Sequence, residues 1–360
     1  RRPAGDGRQR RRDTAGRIGY PMSGHVTCAI LVLALLKVGA PVFVPLAFAL
    51  FIIALAWPLQ AALQRRLPQL LALLITLCVS LVVIAGLASA AAWGLTKLVQ
   101  WLLANLDRFQ LVRADWGAWM EEHGIAVLGP LADRFDVPWL LGVTQNIALR
   151  LNSLAGFGVV VFILVMLGLL ELDAFRARLQ LPGAQPYGAA ILAANREIGR
   201  KLQRFMVVRS LASVLTGLVV WGFATVAGLE LAAAWGAIAF ALNYVPFLGP
   251  LIATLFPTLF AIAQFESWEM AIVVFLCLNL VQFVIGSYFE PLVAGATLAI
   301  SPFAVIFAVF FWSFMWGLAG AFIGVPILIA ALTYCAQSPR SRWIATLLSA
   351  GPAPPPMDRT

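Results

Sequence analysis

The sequence predicts an all-α, polytopic integral membrane protein, and three observations carry that prediction. Hydrophobic residues fill 62% of the 360 positions and charged residues only 11%, with a mean hydropathy of +0.91, far from the composition of soluble domains. Six runs, 67–96, 151–170, 210–229, 231–265, 270–289 and 291–339, contain no Asp, Glu, Lys or Arg, and each reaches the roughly 20 residues that a helix needs to cross a bilayer. The runs are continuous rather than alternating, which does not fit the roughly ten-residue strands of a membrane barrel. The expected fold has about eight transmembrane or span-like helical segments, with broken or re-entrant helices in the C-terminal half.

Residues 1–25 form a basic tail, expected to be disordered; because the first methionine is Met22, residues 1–21 also read as an extension upstream of the native start. Segment 26–95 holds the N-terminal transmembrane helices. Its first part, 26–57, is too long for one comfortable span, and Pro41, Pro45 and the closing Pro58 predict two closely spaced or kinked helices. Lys37, the one charge within 26–64, is placed to snorkel toward an interface. After Arg65, Arg66 and Pro68 comes a further span, whose small residues at 85–92 suit close approach of another helix.

Residues 96–150 are an extracytoplasmic insertion in which Trp101, Trp116, Trp119 and Trp139 are mixed with charges and cut by Pro130 and Pro138. That pattern predicts short amphipathic helices resting on the membrane. Asp133 and Asp136 form a lone DxxD without a second acidic motif, so a solvated loop is expected rather than a Mg²⁺ site. A single span, 151–170, leads to a cytoplasmic basic amphipathic segment, 171–205. There Arg196, Arg200 and Arg204 recur every four residues opposite Ile198, Leu202 and Phe205, the pattern of an interfacial helix on an anionic leaflet. Residues 206–337 form the C-terminal transmembrane core and 338–360 a cytoplasmic tail.

Within that core the informative stretch is 243–257, NYVPFLGPLIATLFP. Pro246 and Pro250 remove backbone donors, Gly249 loosens the chain, and Asn243 and Tyr244 bring hydrogen-bonding side chains. Non-helical backbone persists at membrane depth only where protein buries it or where it lines a wet cavity, so this break is expected beside a pathway. Asn243, Tyr244, Pro246, Gly249, Pro250 and Gln282 are therefore the pathway and substrate candidates. Glu290 reads either as an ion- or proton-coupling residue or as the start of an interfacial turn. Pro291, Gly317, Gly320 and Gly324 are hinge candidates. Two hairpin-like segments flanking one span are elements from which transporter sites are built.

The net charge of +9 comes from the tail and from loops flanking spans, which points to lipid headgroups and topology rather than to nucleic acid. Basic loops put both termini in the cytoplasm, leaving the insertion with Glu230, Glu266 and Glu269 outside. Cys28, Cys78, Cys277 and Cys335 stand singly, without metal-ligand spacing. The only lysines, Lys37, Lys97 and Lys201, form no Walker motif, the histidines His25 and His123 no zinc-protease pair, and no nucleophile elbow is present. Neither an enzyme, a cofactor nor a metal is expected.

The order IGRKLQRF, NYVPFLGPLIATLFP, FEPLVAGATLAISP and GLAGAFIGVP resembles the autoinducer-2 exporter (AI-2E) family of bacterial membrane proteins over residues 26–336. The resemblance implies a multi-pass inner-membrane transporter for a small polar molecule of the quorum-sensing class. The alternative within the same resemblance is a Na⁺(Li⁺)/H⁺ antiporter; a membrane scaffold that transports nothing and recruits partners through the insertion is the alternative from another class. The partners implied are a small-molecule or ion substrate and the lipid bilayer, and small-residue faces suit a homo-oligomer. By the same resemblance the family's tyrosine-proline-glycine-proline break corresponds to Tyr244, Pro246, Gly249 and Pro250. Its polar span and Glu-Pro motif correspond to Gln282, Glu290 and Pro291, and its closing glycines to Gly317, Gly320 and Gly324. Two departures stand out: Phe205 where tyrosine is usual, and Arg209 where an uncharged polar residue is expected.

Overall fold

The computed structural model describes residues 22–105, 137–185, 187–294, 300–337 and 341–349. The DxxD and the central part of the insertion lie outside the described residues, as do most of the two tails. Among the described residues there is no β-strand, only one isolated bridge between Ile300 and Ser349. Among the described residues, seven helices are long and apolar enough to cross a membrane, and two shorter apolar helices accompany them.

The chain divides into two compact units, residues 1–43 and 44–360. In the first, α1 (Met22–Val38) ends at a turn where the Gly39 carbonyl accepts from Val42 and Phe43, each at 2.9 Å. The break expected around Pro41 and Pro45 therefore falls slightly earlier. Pro41 belongs to the first turn of α2 (Ala40–Gln64), where a missing N–H has no intrahelical acceptor to disappoint. Pro58, expected to close the run, sits inside the same helix.

The second unit continues with α3 (Gln69–Ala104), α4 (Val137–Leu179) and α5 (Tyr187–Val226). The expected boundary near residue 205 falls inside α5: no proline interrupts 187–226, so the basic stretch runs directly into the span. Forty residues at about 1.5 Å each make a rod of roughly 60 Å, twice the hydrocarbon thickness.

Two helical hairpins follow, separated by one span. The first joins α6 (Ala232–Leu242) to α7 (Leu248–Phe265). At roughly 16 Å, α6 is too short to cross a hydrocarbon core of about 30 Å. The chain reverses at 243–247, placing Gly249 directly against the Leu242 carbonyl, where no Cβ would fit. Further from the tip, the Trp235 and Phe260 rings meet at 5.2 Å. Next come α8 (Trp268–Val284), a π-helical turn (Ile285–Phe289) and the short α9 (Glu290–Ala294).

The second hairpin is α10 (Pro302–Gln337), interrupted at Gly317 by φ 63° and ψ −143°, a conformation that only glycine adopts at little cost. Its arms close on each other antiparallel, Gly320 against the Trp312 carbonyl and Gly324 against that of Ala308. A last short helix, α11 (Arg342–Leu347), brings Leu348 back to accept from Ser301 N at 2.9 Å, tying off the hairpin base.

Packing inverts the soluble pattern. Ala72, Ala212, Ala261 and Ala321 are fully buried, whereas Val82, Phe310 and Leu318 stand out. Lipid tails solvate large apolar side chains as well as protein does, so the interior is filled by residues that let backbones approach. One apolar cluster gathers Val220, Trp235, Phe260 and Val274 from α5–α8. A second joins Phe51 of α2, Leu202 of α5 and Val309 and Ile323 of α10. A third joins α2, α3 and α4 through Ala49, Leu77 and Leu169.

Because the Gly320 position touches backbone, Gly320→Val is expected to lower stability by about 1–3 kcal/mol or more, the usual range for overpacking. Gly286→Ala, which meets open space, is expected to be close to neutral. Thermal denaturation of the two purified variants in detergent checks this, and equal midpoints would refute the tight-hairpin account.

Candidate functional site

The polar groups of the core converge on one stretch of α5. Between its contacts with the second apolar cluster at Leu202–Met206 and with the first at Val220–Ala224, α5 presents Arg209, Ser210, Ser213 and Thr216. These positions are three or four residues apart, apart from the adjacent 209 and 210, and so share one side of the helix. Arg209 is 8% exposed, and Ser213 and Thr216 are fully buried.

Three helices send partners to this side. Asn243, 3% exposed, ends α6 and donates through Nδ2 to Ser213 Oγ at 3.2 Å. Tyr244 donates its phenolic O–H to Ser210 Oγ at 3.1 Å. Glu290, first residue of α9, accepts from Arg209 Nη1 through Oε1 at 2.6 Å. One turn toward the N-terminus, Arg204 donates to the Val293 carbonyl, so two arginines of α5 hold both ends of α9. Gln203 donates through Nε2 to the Ala54 carbonyl at 2.9 Å. That carbonyl would have bonded the N–H that Pro58 lacks, so the proline in α2 frees the acceptor through which α2 is tied to α5.

The reversal itself is strained. Phe247 has φ 64° and ψ −46°, and Leu248 N donates to the Pro246 carbonyl at 2.7 Å. This is a γ-turn of the rarer hand, unfavourable for a residue with a side chain. Pro250 falls in the first turn of α7, where its missing N–H is tolerated, and Pro257 lies within that helix. The loss of regular hydrogen bonding is thus confined to 243–247, narrower than the stretch marked by its prolines. The π-helical turn before Glu290 is a second irregularity beside the same face of α5.

Of the sequence candidates, Asn243, Tyr244 and Glu290 are brought together on α5, with Pro246, Gly249 and Pro250 shaping the backbone that carries the first two. Gln282 lies about two turns before Glu290, on a helix packed against α5, and its Nε2 has no hydrogen-bond partner among the described residues. Gly317 turns the second hairpin, whereas Gly320 and Gly324 sit in its arms and let them touch; Pro291 is the second residue of α9.

The residues missed by sequence reasoning are those of α5. Arg209 registers there only as a departure from a family pattern, although it is the counter-charge of Glu290. Ser210, Ser213 and Thr216 could have been found from their shared side in an otherwise apolar run. Thr216 Oγ1 and Arg209 Nε have no partner among the described residues. The arrangement therefore offers hydroxyl, amide and guanidinium groups in a largely desolvated layer suited to a polar guest.

Glu290→Gln strips Arg209 of its counter-charge. Breaking a buried pair costs about 3–5 kcal/mol, and the 27% exposure of the Glu290 side chain places this case at the lower end. The double variant Arg209→Gln/Glu290→Gln is expected to recover most of the loss, measured by thermal denaturation in detergent. Equal destabilisation of single and double variants would contradict the pairing.

The family model of the AI-2E family transporters matches residues 26–340. The chain is 26% identical to the AI-2 transport protein TqsA of Escherichia coli (strain K12) over 89% of its own length and 93% of that protein's. A putative transport protein of Haemophilus influenzae is 25% identical, covering 90% and 94%. One of Borreliella burgdorferi is 25% identical, covering 84% of each.

Proposed function

The chain belongs to the AI-2E transporter family, and from that premise we propose that it carries a small, neutral, hydroxyl-rich molecule of the autoinducer-2 class across the bacterial inner membrane. As a multi-pass membrane transporter it acts on a small solute within the bilayer; the identity of that solute is the proposal. The observation that carries it is the pair of hydrogen bonds from Asn243 to Ser213 and from Tyr244 to Ser210 at a non-helical break. Such groups exchange readily with the hydroxyls of a guest, and the break has few helical bonds to lose when the passage opens.

In this reading Asn243, Tyr244 and Gln282 touch the solute together with Ser210, Ser213 and Thr216. Pro246, Gly249 and Pro250 keep the break open to it. Movement would centre on Gly317 and Pro291, with Gly320 and Gly324 as the contacts that slide. The Arg209–Glu290 pair compensates both charges, which favours a neutral solute over a bare cation. That is also why the Na⁺(Li⁺)/H⁺ antiporter reading, which needs Glu290 available, ranks second. The similarity to the AI-2 transport protein TqsA lends the choice of solute its support.

Basic residues Arg196 and Arg200 lie toward one end of α5 and Glu230 just beyond the other. Glu230 N donates to Gln264 Oε1 at 2.8 Å, which brings the α7 end with Glu266 to the same side. With basic loops inward, both termini are cytoplasmic.

Proteoliposomes loaded with autoinducer-2 test the proposal. Asn243→Leu is expected to cut signal efflux at least about tenfold, the loss of roughly one buried hydrogen bond to the moving solute, while the protein remains monodisperse. Unchanged efflux would sink the proposal. Sodium-driven proton movement abolished by Glu290→Gln would transfer the assignment to the antiporter. The orientation is checked separately in a cysteine-free background: Glu266→Cys is expected to react with an impermeant maleimide in intact cells, and Arg178→Cys only after permeabilisation.

A further inference from the structure

Along α5 the polar side continues one turn past the serine that Asn243 bonds. Thr216, fully buried, has no hydrogen-bond partner for Oγ1 among the described residues, and the same holds for the buried Nε2 of Gln282 on α8. The register of the two helices puts these groups at one level. α8, the π-helical turn and α9 form one continuous rod, Trp268–Ala294. It runs antiparallel to α5: Arg209 meets Glu290, while Arg204, earlier on α5, meets Val293, later on the rod. From the Arg209–Glu290 pair, Thr216 and Gln282 each lie roughly 10–12 Å further along, at about 1.5 Å per residue. One turn beyond them, Val220 and Leu278 belong to the same buried apolar cluster, so the register holds on both sides. The facing sides agree as well. Thr216 lies one turn before buried Val220 on α5, and Gln282 falls between Leu278 and Ile285, both buried, on one stripe of its rod.

The contrast with the preceding turn defines what this one can do. Ser210 and Ser213 are already bonded to Tyr244 and Asn243, whereas Thr216 Oγ1 and Gln282 Nε2 are without partners among the described residues. A glutamine Nε2 only donates and a threonine hydroxyl donates or accepts, so together they suit a single hydroxyl or carbonyl oxygen. The donor end of the amide disfavours a bare cation. Buried polar groups that stay unbonded carry a desolvation cost, which a guest oxygen removes. We infer that Thr216 and Gln282 form a further subsite, which holds one oxygen of the solute between the 210–213 pairs and the apolar cluster around Val220 and Leu278. This subsite rests on the transporter reading above and adds a second position to it: the pairs open to pass the solute, and Thr216 and Gln282 hold it.

Two experiments separate the subsite from the choice of solute. In the cysteine-free background, Thr216→Cys and Gln282→Cys are expected to react with neutral 2-hydroxyethyl methanethiosulfonate at least about tenfold faster than Val220→Cys and Leu278→Cys, one turn further into the apolar cluster. In proteoliposomes, Thr216→Val and Gln282→Leu are each expected to raise the half-saturating autoinducer-2 concentration about fivefold, the effect of one hydrogen bond. Maximal efflux is expected to stay within about twofold, and Thr216→Ser to keep the original half-saturation. Equal reactivity at all four positions, or half-saturation unchanged in both variants, would overturn the subsite even where Asn243→Leu cuts efflux. A loss in Thr216→Ser as large as in Thr216→Val would mean packing and overturn the role of the hydroxyl. Thiols that react at 216 and 282 in a protein that moves no autoinducer-2 would instead uphold the subsite for another hydroxylated solute and refute that choice of solute.

Discussion

Away from water, every polar group needs a partner inside the protein, and the organisation around α5 follows from that constraint. Over just under three turns, α5 bonds the α2 carbonyl freed by Pro58, the last part of α9, the carboxylate of Glu290 and the two side chains of the 243–244 break. Each contact repairs an irregularity elsewhere: a proline, a helix end, a charge or a broken helix. A regular helix has no free backbone groups of its own to satisfy in its middle, so its side chains can serve its neighbours. That is why a long uninterrupted rod stands beside the most interrupted segments.

The same constraint explains what was legible in the sequence. Spans are legible because charge-free runs have few other stable homes, and the break at 243–247 because proline and glycine act locally. The second hairpin is legible from Gly317, where the backbone conformation demands glycine. Helix ends are less so. Pro58 looks terminal until its orphaned carbonyl finds Gln203, a partner 149 positions away. The continuity of α5 is hidden because composition shifts from basic to apolar near residue 205, while only a breaker would end the helix, and there is none.

Arg209 is the instructive failure. Taken alone, an arginine in an apolar run is an expensive oddity, and Glu290 invites a coupling role as an isolated acid. Their pairing, across 81 positions, changes both readings: each is first the other's counter-charge. Pair partners so distant in sequence are set by how α5 packs against α8 and α9, which no local spacing encodes. The hydroxyls at 210, 213 and 216 were readable by periodicity, but their significance depends on the same packing.

The position of the polar layer bears on how a carrier could move. Apolar clusters lie on both sides of it along α5, one built with the first hairpin and one with the second. Close-packed apolar groups resist partial displacement, whereas hydrogen bonds between hydroxyls and amides can be exchanged for bonds to a guest at similar energy. Motion would therefore concentrate in the layer, with each cluster moving as a body. The Thr216 hydroxyl and Arg209 Nε, without a hydrogen-bond partner among the described residues, lie in that same layer. Groups left unsatisfied in the empty protein gain most from a hydroxylated guest, so binding would stabilise an arrangement in which the layer has opened around it.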